Sequence, residues 1–235
     1  MPLKLLWLTI ACTLTLALNA QESRFMMQIE SSLGRSDRFF INNGALPESI
    51  VGIWERIEQP KLSYDLGILV GYTLSDRVSI HAGMKYVDWG YQSDKSELIF
   101  AVDEPTLPQF MSSKSQNRYI EIPLRLSYHF PLKSNRLKIW GGWYPSYNLS
   151  NHTVSKFYYA DRVEETRSKD EPVGVSYRKF NMIADLGVGF EKILSEKISF
   201  TIGPNFRTQT FGVVDDASLN RVLFFYGLSS AIVFR

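Results

Sequence analysis

Eight charged residues recur on the polar side of alternating segments: Glu30, Asp65, Glu121 and Asp185 against Lys85, Arg125, Lys138 and Arg207. Four acids and four bases can satisfy one another as ion pairs, and a low-dielectric interior demands it, because an unpaired buried charge is costly. The chemistry expected of them is cohesion, a plug of charge, rather than turnover. Nucleophilic catalysis would require a serine, a histidine and an acid within reach of one another, and the chain holds three histidines, His81, His129 and His152. His81 and His129 fall on the polar face with the charged set. His152 lies in a long connection beside Ser150, where it can be sketched as a triad with Ser150 and Asp161. The acids Asp161, Glu164, Glu165, Asp170 and Glu171 alternate with Arg162, Arg167 and Lys169. Such mixing describes a solvated face, with lipopolysaccharide phosphate or divalent-ion contact as the minority reading. No spacing suggests a metal site, and no cofactor is expected.

The segments that would position these residues have a period of two. In 119–130 the even positions are Ile120, Ile122, Leu124, Leu126, Tyr128 and Phe130, while the odd ones include Glu121, Arg125, Ser127 and His129. Successive side chains of a strand leave on opposite sides, so one face is oily and the other charged. Eight such segments are expected, at about 24–34, 62–74, 78–91, 119–130, 137–149, 180–190, 198–209 and 222–234, the first being the weakest. Each is long enough to cross hydrocarbon, which takes about 9 to 11 tilted residues. The connections alternate between short (75–77, 131–136, 194–197) and long (35–61, 92–118, 150–179, 210–221). This predicts an all-β fold, an eight-stranded antiparallel up-and-down transmembrane β-barrel, with both chain ends and the short turns in the periplasm.

Alternation alone does not orient the faces, and a soluble barrel with an oily cavity has the same period. Glycines decide for the membrane reading: Gly67, Gly71, Gly83, Gly142, Gly187, Gly189, Gly203 and Gly227 crowd the polar face, as a tight interior needs. Aromatics such as Tyr64, Tyr72, Tyr128, Phe130, Phe206 and Phe234 stand towards the ends of the oily face, where membrane interfaces favour them.

Residues 1–20 read as a cleaved secretory signal: a basic start with Lys4, an apolar run over 5–18, and a small residue at Ala20. A lipoprotein signal at Cys12 is the lesser alternative. Removing this segment removes Cys12, the single cysteine, so a disulfide framework is not expected. Residues 21–235 form one barrel domain. Aromatics make up 14% and charged residues 21%, and the net charge of +2 lacks the basic excess of a nucleic-acid binder.

The pieces 119–124 (Tyr-Ile-Glu-Ile-Pro-Leu), Leu66-Gly67 to Gly71-Tyr72, Leu186-Gly187-Val188-Gly189-Phe190 and Ile202-Gly203-Pro204 resemble the PorT-like outer-membrane β-barrel proteins abundant in Bacteroidota. The resemblance spans nearly the whole mature chain and rests on order and spacing. It implies a small barrel in the Gram-negative outer membrane, porin-like in general description, with a link to protein secretion of the type IX kind.

Function is expected to be structural or interactive, with no enzymatic activity. The partners are outer-membrane lipid and lipopolysaccharide, together with envelope or secretion-system proteins. A narrow solute pore is the alternative, and a lipid-modifying enzyme the remoter one. The long connections hold more apolar residues than exposed loops need, including Phe39, Phe40, Trp54, Phe100 and Phe110. These either extend the strands above the membrane, the favoured reading, or form a partner-binding patch.

Overall fold

The computed structural model describes residues 24–44, 46–100, 106–169, 176–215 and 217–235. The expected signal segment therefore lies outside the described residues, as do Asp170 and Glu171. Among the described residues there are twelve strands: β1 (Phe25–Asn42), β2 (Glu58–Ser75), β3 (Val78–Trp89), β4 (Tyr91–Ser93), β5 (Ser96–Glu97), β6 (Phe110–Glu121), β7 (Leu124–Leu132), β8 (Asn135–Tyr158), β9 (Val163–Lys169), β10 (Phe180–Ile193), β11 (Ile198–Gln209) and β12 (Leu219–Phe234). A helix, α1 (Glu48–Ile57), lies between β1 and β2.

Every strand pairing is antiparallel, and β1 pairs with both β2 and β12, so the sheet closes on itself. Closure removes the open edges that hydrocarbon cannot tolerate, since there is no water there to satisfy unpaired amides. Around the ring the ladders run β1, β2, β3, then β6 with β7, then β8, β10, β11 and β12.

The strand count departs from the eight expected, for two physical reasons. The segment 119–130 is split at Ile122 and Pro123, because a proline has no N–H for the ladder and Pro145 on the facing β8 lacks one as well. Ile122 N–H is still satisfied, by the Pro145 carbonyl at 2.9 Å. The long connections also contain strand. β4, β5 and β9 form there, while β1, β2, β6 and β8 run well past their predicted ends. The polar run 112–118 of β6 pairs with 150–156 of β8, from Ser112 opposite Lys156 to Arg118 opposite Ser150. Nothing apolar marks this run because water bathes the sheet beyond the membrane, and pairing alone holds it. Segment 24–34, expected to be the weakest, belongs to an 18-residue strand laddered on both sides.

The faces are oriented with oil outward. Along β2, Leu62, Leu66 and Val70 are 66, 57 and 54% exposed, whereas Ser63, Asp65 and Leu69 are buried. α1 was not anticipated. Glu48 in its first turn and Arg56 in its last suit the helix dipole, but none of its residues is buried, so it rests on the long-loop end without a core of its own.

Candidate functional site

The interior is the most elaborate site in the molecule, and glycine placement explains how it forms. Glu30, Gly67, Lys85 and Glu121 occupy one row across β1, β2, β3 and β6. A Cβ at Gly67 would collide with the Lys85 stem, so the glycine leaves room for the Lys85 ammonium to reach Glu30 across β2. Arg125, Gly142, Asp185 and Arg207 form a second row across β7, β8, β10 and β11. There Gly142 clears the way between Arg125 and Asp185, which meet at 3.2 Å.

These rows interlock. Arg125 grips Glu30 with two nitrogens at 2.6 and 3.0 Å and donates its Nε–H to the Tyr144 hydroxyl at 2.9 Å; Tyr144 in turn donates to Asp185. Lys85 lies 3.4 Å from Asp65. Arg207 bonds Asp65 at 2.8 Å and also pairs with Glu121. Seven of the eight charges singled out from the sequence thus share one network. Lys138 stands apart: it is 3% exposed, donates to the Gln28 side-chain oxygen at 3.3 Å, and forms no ion pair among the described residues. Tyr144 and Gln28 fall on the inward face by strand parity as well, but nothing in their sequence positions marks a role in the network, which only the closed ring reveals.

Above the network towards the long loops lies an apolar layer that the sequence reading did not foresee. Val87, Trp89, Tyr119, Ile183, Leu223 and Phe225 pack together inside the barrel with Tyr144 and Val213. The Trp89 and Phe225 rings stack at 6.3 Å, and the Arg207 guanidinium sits 5.0 Å from the Trp89 ring centre, joining charge to oil. The signal was available: Val87 and Trp89 continue by twos the inward series His81, Gly83, Lys85. Beyond this layer Glu58 receives Arg38 at 2.7 Å and Arg221 at 2.7 Å, Lys61 pairs with Asp88, and Arg38 donates to the Trp54 carbonyl of α1 at 3.1 Å.

At the short-turn end His129 Nε2 lies 3.0 Å from Ser79 Oγ, and His129 Nδ1 lies 3.2 Å from Glu191. Glu191 also accepts from Ser199 at 2.6 Å and pairs with Arg235, while His81 Nε2 contacts Ser79 at 2.9 Å. The order Ser, His, Glu is that of a hydrolytic triad, but Ser79 and Glu191 are each 1% exposed. A nucleophile sealed in this way meets no substrate, and the chain of bonds closes the lowest layer of the interior. The triad sketched from the sequence does not form: Asp161 is in the β8–β9 turn, bound to Arg162 at 3.1 Å, while His152 is six residues back from Tyr158 along an extended strand, roughly 20 Å away. Arg162 also holds the Glu164 carboxyl below its usual range through a hydrogen bond at 2.7 Å, as on a solvated face. Among the described residues no cluster of three metal-binding side chains exists.

The five aromatic loop residues do not form one patch, although Phe40 and Trp54 share the Arg221 guanidinium, at 5.2 and 5.6 Å. Phe39 points outward from β1 and stacks on Phe224 at 6.0 Å. Phe40, on the opposite face, lies 5.0 Å from the Arg38 guanidinium and 5.2 Å from that of Arg221. Trp54 belongs to α1, Phe100 is half-exposed between strands, and Phe110 opens β6 beneath Lys95 at 4.2 Å.

A family model described as outer membrane protein beta-barrel domain matches residues 9–210. No curated protein matches the chain. Among solved structures it is similar to Neisserial surface protein A, with 12% identity and a TM-score of 0.44 over 90% of this chain and 97% of that one. It is also similar to the outer membrane protein OprG of Pseudomonas aeruginosa, at 10% identity and a TM-score of 0.43 over 89% and 94%. Ail, the attachment invasion locus protein of Yersinia pestis, gives 11% identity and a TM-score of 0.35 over 88% and 97%.

Proposed function

The chain belongs to the family of outer membrane protein β-barrel domains, hence to the Gram-negative outer membrane, and from that premise we propose that it acts as a closed, non-conducting barrel, a structural and interaction component of the envelope without enzymatic activity. The observation that carries this reading is the filled interior. An ion-pair network across Glu30, Arg125, Asp185, Arg207, Asp65 and Glu121 is stacked against the apolar layer of Trp89, Phe225 and Leu223. An ion entering this space would have to displace paired charges and then cross a packed aromatic layer, both unfavourable. In the same reading residues 1–20 are removed on export, and the short turns and both chain ends face the periplasm.

Planar-bilayer recording of the purified barrel tests the proposal. Negligible conductance is expected, whereas large, steady unitary currents would overturn it and put a narrow porin-like solute channel in its place. The PorT-like resemblance of 119–124 supports an envelope or secretion-system protein as partner, together with lipopolysaccharide and membrane lipid. Crosslinking in intact cells followed by identification of the captured protein is the corresponding experiment.

A further inference from the structure

Charge is distributed unequally between the two ends of the barrel. At the short-turn end the bases are Arg24 before β1, Arg77 in the β2–β3 turn, Lys133 between β7 and β8, Arg136 at the start of β8, Lys192 at the end of β10 and Lys197 between β10 and β11. All are exposed except Arg136, which is half-exposed, and the only described acids on those turns are Asp76 and Glu196. None of the six bases forms an ion pair among the described residues; the remaining base, Arg235, is turned inward to Glu191. At the long-loop end, by contrast, acids and bases interleave and pair, as Lys156 does with Glu165 and Arg162 with Glu164.

We propose that this basic ring binds the anionic phospholipid headgroups of the leaflet that surrounds the short-turn end. Its shape selects the partner. Every connection at that end carries at least one base, so the ring encircles the barrel. A docked protein touches one sector, whereas a lipid leaflet touches all of them. The ring is also continuous with the lipid-facing wall, since the exposed Phe25, Leu74, Tyr128, Phe130, Leu132 and Leu194 lie directly beside it. Lysine and arginine stems lie along such apolar surface while their heads sit at phosphate depth.

The experiment is to refold the full chain into vesicles of equal phosphatidylcholine and phosphatidylglycerol, extract it in mild detergent, and quantify the lipid that co-purifies. Retained lipid is expected to be enriched in phosphatidylglycerol by about fivefold or more, the increment for one base near an anionic surface. The quadruple variant Arg77→Gln, Lys133→Gln, Lys192→Gln, Lys197→Gln, which leaves Arg24 and Arg136, should lose most of this enrichment. An equal neutralisation at the other end, Arg56→Gln, Lys156→Gln, Arg162→Gln, Arg167→Gln, should keep the enrichment. If the quadruple variant fails to fold, Arg77→Gln and Lys133→Gln singly should each lower it in part. Absence of enrichment in the unaltered protein, equal loss in both quadruple variants, or stripping of the lipid by excess inorganic phosphate at constant ionic strength would each overturn the proposal. A conducting barrel would leave this readout intact, so the two proposals fail separately.

Discussion

At the residue scale the interior is organised by who can reach whom. Arg125 is the hub, touching Glu30, Asp185 and Tyr144 at once. Buried pairs of this kind are weak evidence of net stabilisation, because desolvation offsets attraction, but removing one member leaves its partner charged and unpaired. Arg125→Met is therefore expected to lower the unfolding free energy by about 3–5 kcal/mol, read from the urea midpoint of the refolded barrel. Arg125→Met combined with Glu30→Gln should recover part of that loss; a double variant no more stable than the single one would show that Glu30 is not the stranded partner. Asp65, Glu121, Asp185, Arg207 and the rest were legible as inward residues because a period of two fixes parity. The pairing among them was not, since Glu30 and Arg125 are 95 residues apart and meet only across a closed ring.

At the element scale, strands were readable where one face must meet lipid and unreadable where both meet water. β11 (Ile198–Gln209) matches its predicted span, because its outward positions from Ile198 to Phe206 are all apolar or a proline. The run 112–117 of β6, by contrast, is serine, lysine, glutamine and asparagine and becomes strand only by pairing with its neighbours, chiefly β8. α1 was invisible for a related reason: its stripe of Ile50, Ile53 and Trp54 remains exposed, and the expectation of a strand-only chain left no place for it. Since α1 buries no residue, replacing it by a short glycine-serine link from Asn42 to Glu58 should change stability by less than about 1 kcal/mol. The heat-induced gel shift and denaturant midpoint would record this. A loss comparable to that of Arg125→Met would show that α1 braces the barrel mouth through Arg38.

At the scale of the whole molecule, an oily wall around a charged and aromatic interior is an inside-out protein, and its solvent must be lipid on the outside. Charge scanning along β2 tests the embedding depth. Ile68→Arg, midway between Tyr64 and Tyr72, is expected to cost about 2–4 kcal/mol in vesicles, and Leu62→Arg near the rim about 0–1 kcal/mol. A flat profile would mean the wall is not embedded at that depth. Sequence by itself determined the class of fold, the orientation of the faces, the positions of the short turns and the identity of most inward charges. All of these follow from local alternation and from glycines on one face. The tertiary structure alone decided ring closure, the break at Pro123, the extension of strands beyond the membrane, the isolation of Lys138 from the ion pairs and the apolar layer above the network. Each of these depends on which distant strand becomes a neighbour, and that information resides in the closed ring rather than in any one segment.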